Sequence, residues 1–140
     1  MIGWLRKRFG RQRDIGEWTM ATGSEGGFPL VIRTRVRAPQ GTSSGAFPET
    51  VEVVWRFDSS NTNGMPATDL TALMMECEDA LDALEGAATG FLGISITGNG
   101  RREWVWYVMD ADAFRAHVRE LVARSGNRYP LELPPFPALR

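Results

Sequence analysis

The dipeptide Asn99-Gly100, set between two runs of alternating residues, constrains this chain more than any other feature. Asn-Gly is the strongest short signal for a two-residue type I′ reversal, because both central residues must take positive φ. Residues 91–97 and 102–109 are therefore expected to be neighbouring antiparallel strands. Counting outward from the turn sets Gly98 against Arg101, Thr97 against Arg102, Ser95 against Trp104 and Gly93 against Trp106. Ile96, Ile94 and Leu92 then share the other face with Glu103, Val105 and Tyr107.

Two helical stripes bracket that hairpin. Leu70, Leu73, Met74, Cys77, Leu81 and Leu84 recur at helical spacing, with Pro66 placed for a start and Gly86 for an end. Asp110 is placed to cap a second helix through Arg124, whose apolar stripe is Phe114, Val118, Leu121 and Val122, and Gly126 ends it. Upstream, residues 17–21 and 30–36 read as strands around the turn-rich residues 23–27, and residues 51–57 form a strand after a polar loop. In that third strand Val51, Val53, Trp55 and Phe57 point inward. Residues 128–133 form a last short strand before Pro134-Pro135. The order predicts an α+β fold: a ferredoxin-like antiparallel sheet with two helices on one face, plus an additional N-terminal β-hairpin.

Composition narrows function by exclusion. Among 140 residues there is one Cys (Cys77), one His (His117) and one Lys (Lys7). A structural zinc site needs four Cys/His-type ligands and a catalytic one usually three, so neither is expected. Lys7 lies in Arg6-Lys7-Arg8, outside any glycine-rich phosphate loop. We expect no cofactor, no metal and no catalytic residue. The longest uncharged stretch, residues 86–100, is broken by glycines and too short for a membrane span. Residues 1–13 carry five basic residues and no acid, without the apolar core of a secretory signal, so a cytoplasmic location is expected. This basic arm precedes a single domain over residues 14–140, in which the remaining 11 basic residues face all 17 acids, a net charge of −6. The arm reads as a disordered, solubilising start, although Ile2, Leu5 and Phe9 on one side of a helix would suit an anionic surface.

Residues 63–66 (Asn-Gly-Met-Pro), the segment 76–81 (Glu-Cys-Glu-Asp-Ala-Leu), Gly93, the run 97–104 (Thr-Gly-Asn-Gly-Arg-Arg-Glu-Trp) and Tyr107 together resemble a bacterial family, the domain of unknown function numbered 695. The resemblance spans about residues 14–133 and implies no catalytic residues, since none is established for the family. It implies association: members can be joined to a domain similar to the RraB regulator, a ferredoxin-like protein that restrains a ribonuclease. The chain departs from the family pattern at Leu133-Pro134-Pro135-Phe136.

Four constellations merit a chemical reading. Gly41-Thr42-Ser43-Ser44-Gly45 matches the G-x-S-x-G pattern of a nucleophile elbow, but a strand follows where that elbow needs a helix. Cys77 and His117 could pair as a thiolate dyad, yet Cys77 lies within an apolar stripe. Asp110 and Asp112 are simpler as helix-start acids than as a cation site. The acids Glu76, Glu78, Asp79 and Asp82 repel one another on the first helix, so either Arg115, Arg119 and Arg124 of the second helix or a basic protein partner should offset them.

The open sheet face is the expected docking surface. It combines Trp104, Trp106 and Arg56 with the row Arg33, Arg35 and Arg37, while Glu76 and Asp79 supply an acidic patch on the helix. The expected function is a non-catalytic interaction or regulatory domain with a protein partner. Alternatives are a single-stranded RNA binder stacking bases on the two indoles and a small enzyme of unassigned activity. The net acidity of the body weighs against nucleic acid, and oligomeric state is not encoded in any feature.

Overall fold

A computed structural model describes residues 8–15, 18–39, 45–86 and 88–135, the first of these by its backbone. The chain is α+β. Its elements are β1 (Arg8–Ile15), β2 (Trp18–Glu25), β3 (Phe28–Arg35), β4 (Glu49–Arg56), α1 (Thr68–Asp82), β5 (Gly90–Gly98), β6 (Arg101–Val108), α2 (Ala111–Arg124) and β7 (Leu131–Glu132). The strands form one sheet in the order β1-β2-β3-β5-β6-β4-β7. Every neighbouring pair is antiparallel.

The first difference from the sequence reading lies at the N-terminus. Residues 8–13, read as part of a disordered arm, belong to strand β1, which pairs Arg13 with Met20 and Ile15 with Trp18 on β2. β2 runs on to Glu25, four residues past the expected end. A sheet edge offers unpaired N–H and C=O groups, and pairing satisfies them without requiring apolar side chains, which is why a basic segment could be misread as unstructured.

The helices follow their patterns. Met74, Cys77 and Leu81 of α1 are buried, and Leu70, Leu73 and Leu84 pack at the margin. Asp110 caps α2 by accepting a hydrogen bond from the Ala113 N–H at 3.1 Å, and Phe114, Val118 and Leu121 are buried. Both stripes enter one core with Val51, Val53 and Trp55 of β4 and Leu92 of β5.

The reversal at Asn99 and Gly100 has φ of 51° and 78°, as a type I′ turn requires. The preceding loop clasps it: Phe57 N–H donates to the Gly100 carbonyl, and Gly100 N–H donates to the Gly64 carbonyl, each at 2.9 Å. Gly64 sits at φ 84°, and a Cβ there would stand 2.8 Å from the Asn99 nitrogen. The turn and the Asn63-Gly64-Met65-Pro66 segment are thus parts of one contact.

β5 and β6 pair in the expected register from Gly98↔Arg101 to Ile94↔Val105. A shift at Gly93 then sets Leu92 against Trp106, so Leu92 joins the indoles rather than the isoleucines. The Tyr107 ring occupies the space above Gly93, where a Cβ would come within 2.2 Å of Cε2. This explains why a glycine and a tyrosine so far apart in sequence belong together.

Candidate functional site

The orientation of the sheet reverses the expected docking surface. Trp104 and Trp106 are each 0% exposed and lie in the core between sheet and helices, with the Trp106 ring 4.8 Å from Phe114. Val53 is opposite Trp104 and Val51 opposite Trp106, so the inward side of β4 and the indoles share one face. The isoleucines turn the other way: Ile94, Ile96 and Val105 form a second buried cluster with Leu30 and Ile32. A base-stacking platform on these tryptophans is therefore not formed, and Arg56, on the other face of β4, is not beside them. Arg56 is exposed and pairs with Glu132 at 3.0 Å.

The arginine row of β3 does share the face of the indoles, as alternation requires, but that face meets α1. The node is Glu78. One carboxylate oxygen accepts from Trp104 Nε1 at 2.7 Å and from Arg102 Nη2 at 3.0 Å, and the other accepts from Arg33 Nη1 at 3.2 Å. Burial pushes the Glu78 carboxyl up, but the indole hydrogen bond and the charges of Arg33 and Arg102 outweigh it and hold the pKa below its usual value. One turn from the helix end, Glu85 binds Arg35 at 2.7 Å, while Arg35 Nε donates to the Leu92 carbonyl at 2.9 Å. Both guanidiniums lie over the Trp18 ring, at 5.0 Å for Arg33 and 4.8 Å for Arg35. Arg37 lies beyond the end of β3 and is exposed.

The acidic helix is thus offset by the sheet rather than by α2. Arg115 binds Asp112 and the Pro135 carbonyl, and Arg124 binds Glu120, all apart from α1. Glu76 accepts from the Tyr129 hydroxyl at 2.6 Å and pairs with Arg128, so it ties α1 to the segment after α2. Those hydrogen bonds lower the Glu76 pKa, and the first of them pushes Tyr129 up to about 12. Asp79 remains exposed on the outer face of the helix.

Glu78, Arg102 and Trp18 were not nominated from sequence. The signal was present for Glu78: at about 100° per residue, positions 78 and 85 border the stripe of Met74, Cys77 and Leu81, whereas Asp79 falls farther round. An acid on that border faces the sheet.

Asp82 follows Glu78 by one turn. Burial, then the charges of Glu78, Glu85 and Asp79, push its pKa from an ordinary 3.8 up to about 6, with Arg33 opposing. A raised acid contributes stability that is complete below its unfolded value and is lost as pH rises through the folded one. Asp82→Asn should therefore raise the melting temperature by on the order of 2 °C at pH 8, a size limited by the exposure of this side chain. The gain should fade below about pH 4; thermal unfolding across that range checks it, and a gain that grew toward acid would contradict the assignment.

Cys77 and His117 do not form a joint site. Cys77 is 0% exposed and desolvation pushes its thiol up to about 12, whereas His117 is exposed on α2. The folded protein should leave Cys77 unmodified by a thiol-reactive disulfide that labels it fully in denaturant. Rapid native labelling would show that the α1 stripe opens. Residues 40–44, with most of the G-x-S-x-G match, lie outside the described residues. Among the described residues no cluster of three His, Cys, Asp or Glu could hold a metal ion.

Beside the Glu78 node is a cleft of about 320 Å³, bounded by Val31, Arg33, Met65, Pro66, Thr71, Ser95, Thr97 and Arg102. It opens where α1 begins and brings two guanidiniums together with three hydroxyl side chains. A wider cleft of about 660 Å³ lies between the start of β4 and the first turns of α2, with Arg115 and Arg119 on its wall.

No curated protein and no solved structure matches this chain. Residues 16–133 match the model of a family of unknown function, DUF695, a span that holds β2 through β7, the Glu78 node and the Gly64–Asn99 clasp, and the chain accordingly belongs to that family.

Proposed function

We propose that this chain is a non-catalytic interaction or regulatory domain. The observation that carries the reading is that its chemistry-bearing side chains are engaged in holding the fold. Cys77 is sealed in the core, and Glu78, Glu85 and Glu76 each bind an arginine from a distant part of the chain. What faces outward on α1 is Met75, 58% exposed, with Asp79 and Asp82. No basic residue occurs between Arg56 and Arg101, so this helix face suits a partner with a basic, partly apolar surface.

The strand order β5-β6-β4-β7 and the alternation of strands with α1 and α2 support a ferredoxin-like reading, with β1 to β3 as an N-terminal extension of the sheet. Among the described residues no helix is long and apolar enough to cross a membrane. A lone free cysteine suits the reducing cytoplasm.

The test is affinity purification from the native cell, comparing wild type with Asp79→Lys/Asp82→Lys on the exposed face of α1. The reading expects a protein retained by the wild type and released by the charge reversal. A turnover abolished by Cys77→Ala or His117→Ala, in protein that remains folded, would overturn it.

A further inference from the structure

We propose that the cleft at the start of α1 binds a small organic anion, one acidic head on a short apolar body. The inference rests on the reading of this chain as a binding rather than a turnover domain. Charge selects the sign of the ligand. Arg33 and Arg102 share one carboxylate, Glu78, at 3.2 and 3.0 Å, and the cleft wall itself carries these two guanidiniums and no acid. Arg102 is only 9% exposed, and its Nε–H is buried without an acceptor among the described residues. A buried donor left unused is costly, so this guanidinium holds hydrogen-bonding capacity that the fold does not consume.

The remaining wall defines the body of the ligand. Ser95, 2% exposed, and Thr97 present hydroxyl side chains on β5, while Val31, Met65 and Pro66 are apolar. Pro66 and Thr71 flank the first turn of α1, whose N-cap, Ala67, supplies no side-chain acceptor and in which Asp69 accepts from the Leu70 N–H at 2.9 Å. A space of about 320 Å³ is at the small end of ligand pockets, which fits a head group with a few carbons.

The probes are 4-methylpentanoate and phenyl phosphate, with 4-methylpentanamide and inorganic phosphate as the arms that remove the charge and the apolar body. Binding is read by calorimetry and by thermal shift on the intact chain. The proposal expects one saturable site for an organic anion, at least tenfold weaker binding of the amide, and a similar loss on Arg33→Gln. Because Arg33 also touches Glu78, Thr71→Met provides a second variant: it narrows the cleft without removing charge and should likewise weaken binding, whereas Arg37→Gln should not. Saturation by none of the probes at concentrations on the order of 10 mM would overturn the proposal. So would equal binding of the amide, equal binding of inorganic phosphate, or affinity untouched by both cleft variants. Absence of binding leaves the protein-partner reading standing, and chemical conversion of a bound probe would overturn that reading while leaving the cleft, so the two failures are distinguishable.

Discussion

Trp104→Ala should cost about 3–5 kcal/mol, a large part of the stability of a domain this size. The indole is 0% exposed, lies opposite Val53 and Ser95, and donates its N–H to Glu78 at 2.7 Å. Truncation leaves a cavity at the centre of the core and removes one donor from the carboxylate. Conservative replacements separate the two effects. Trp104→Phe keeps most of the ring but loses the hydrogen bond, whereas Trp106 Nε1 has no acceptor among the described residues, so Trp106→Phe loses volume alone. Trp106→Phe should be the milder of the pair by about 1 kcal/mol. Urea unfolding of the three variants is the measurement. A cost below about 1 kcal/mol for Trp104→Ala would mean that the ring is not packed as described. Replacing both tryptophans by alanine is consequently a test of folding and cannot report on partner binding.

Periodicity revealed which residues share a face, but not which face the helices cover. The parity of β6, the register of the Asn99-Gly100 hairpin as far as Ile94↔Val105, and the shared side of Arg33 and Arg35 with Trp104 were all legible, because a strand alternates every second residue. Either face of the hairpin could have met α1, since both are buried. By composition alone, the aliphatic set is the natural partner of a leucine-bearing helix. The deciding fact is long-range: Glu78 on α1 demands donors, and the face bearing Arg33, Arg102 and Trp104 brings three of them to it. Reading the acidic run and the arginine row as mutual partners would have oriented the sheet. Two other features lay beyond local patterns. The shift at Gly93 follows from a tyrosine ring contributed by the neighbouring strand, and β1 follows from an edge whose pairing is backbone to backbone.

Removing the Glu78 carboxylate should be nearly as damaging as removing Trp104. Glu78→Ala strips the acceptor from two guanidiniums and one indole, and stranding buried cations typically costs about 3–5 kcal/mol; the partial exposure of Arg33 favours the lower end. Glu78→Gln should recover part of this, because its amide oxygen can still accept from the Trp104 N–H, though without charge. Acid discriminates a charge effect from a packing effect. The folded pKa of Glu78 is depressed below an ordinary 4.5, so its contribution is complete above that value and is lost as pH falls through the folded one. The stability gap between wild type and Glu78→Gln should close on acidification over that range, whereas a gap constant with pH would assign the loss to shape alone. Asp82, one turn along the same helix, titrates with the opposite sign because burial, and then the charges of Glu78, Glu85 and Asp79, push its pKa up. The double variant Glu78→Gln/Asp82→Asn should therefore show a weaker pH dependence than either single variant, since neighbouring acids on one helix face are coupled and each removal relieves the other.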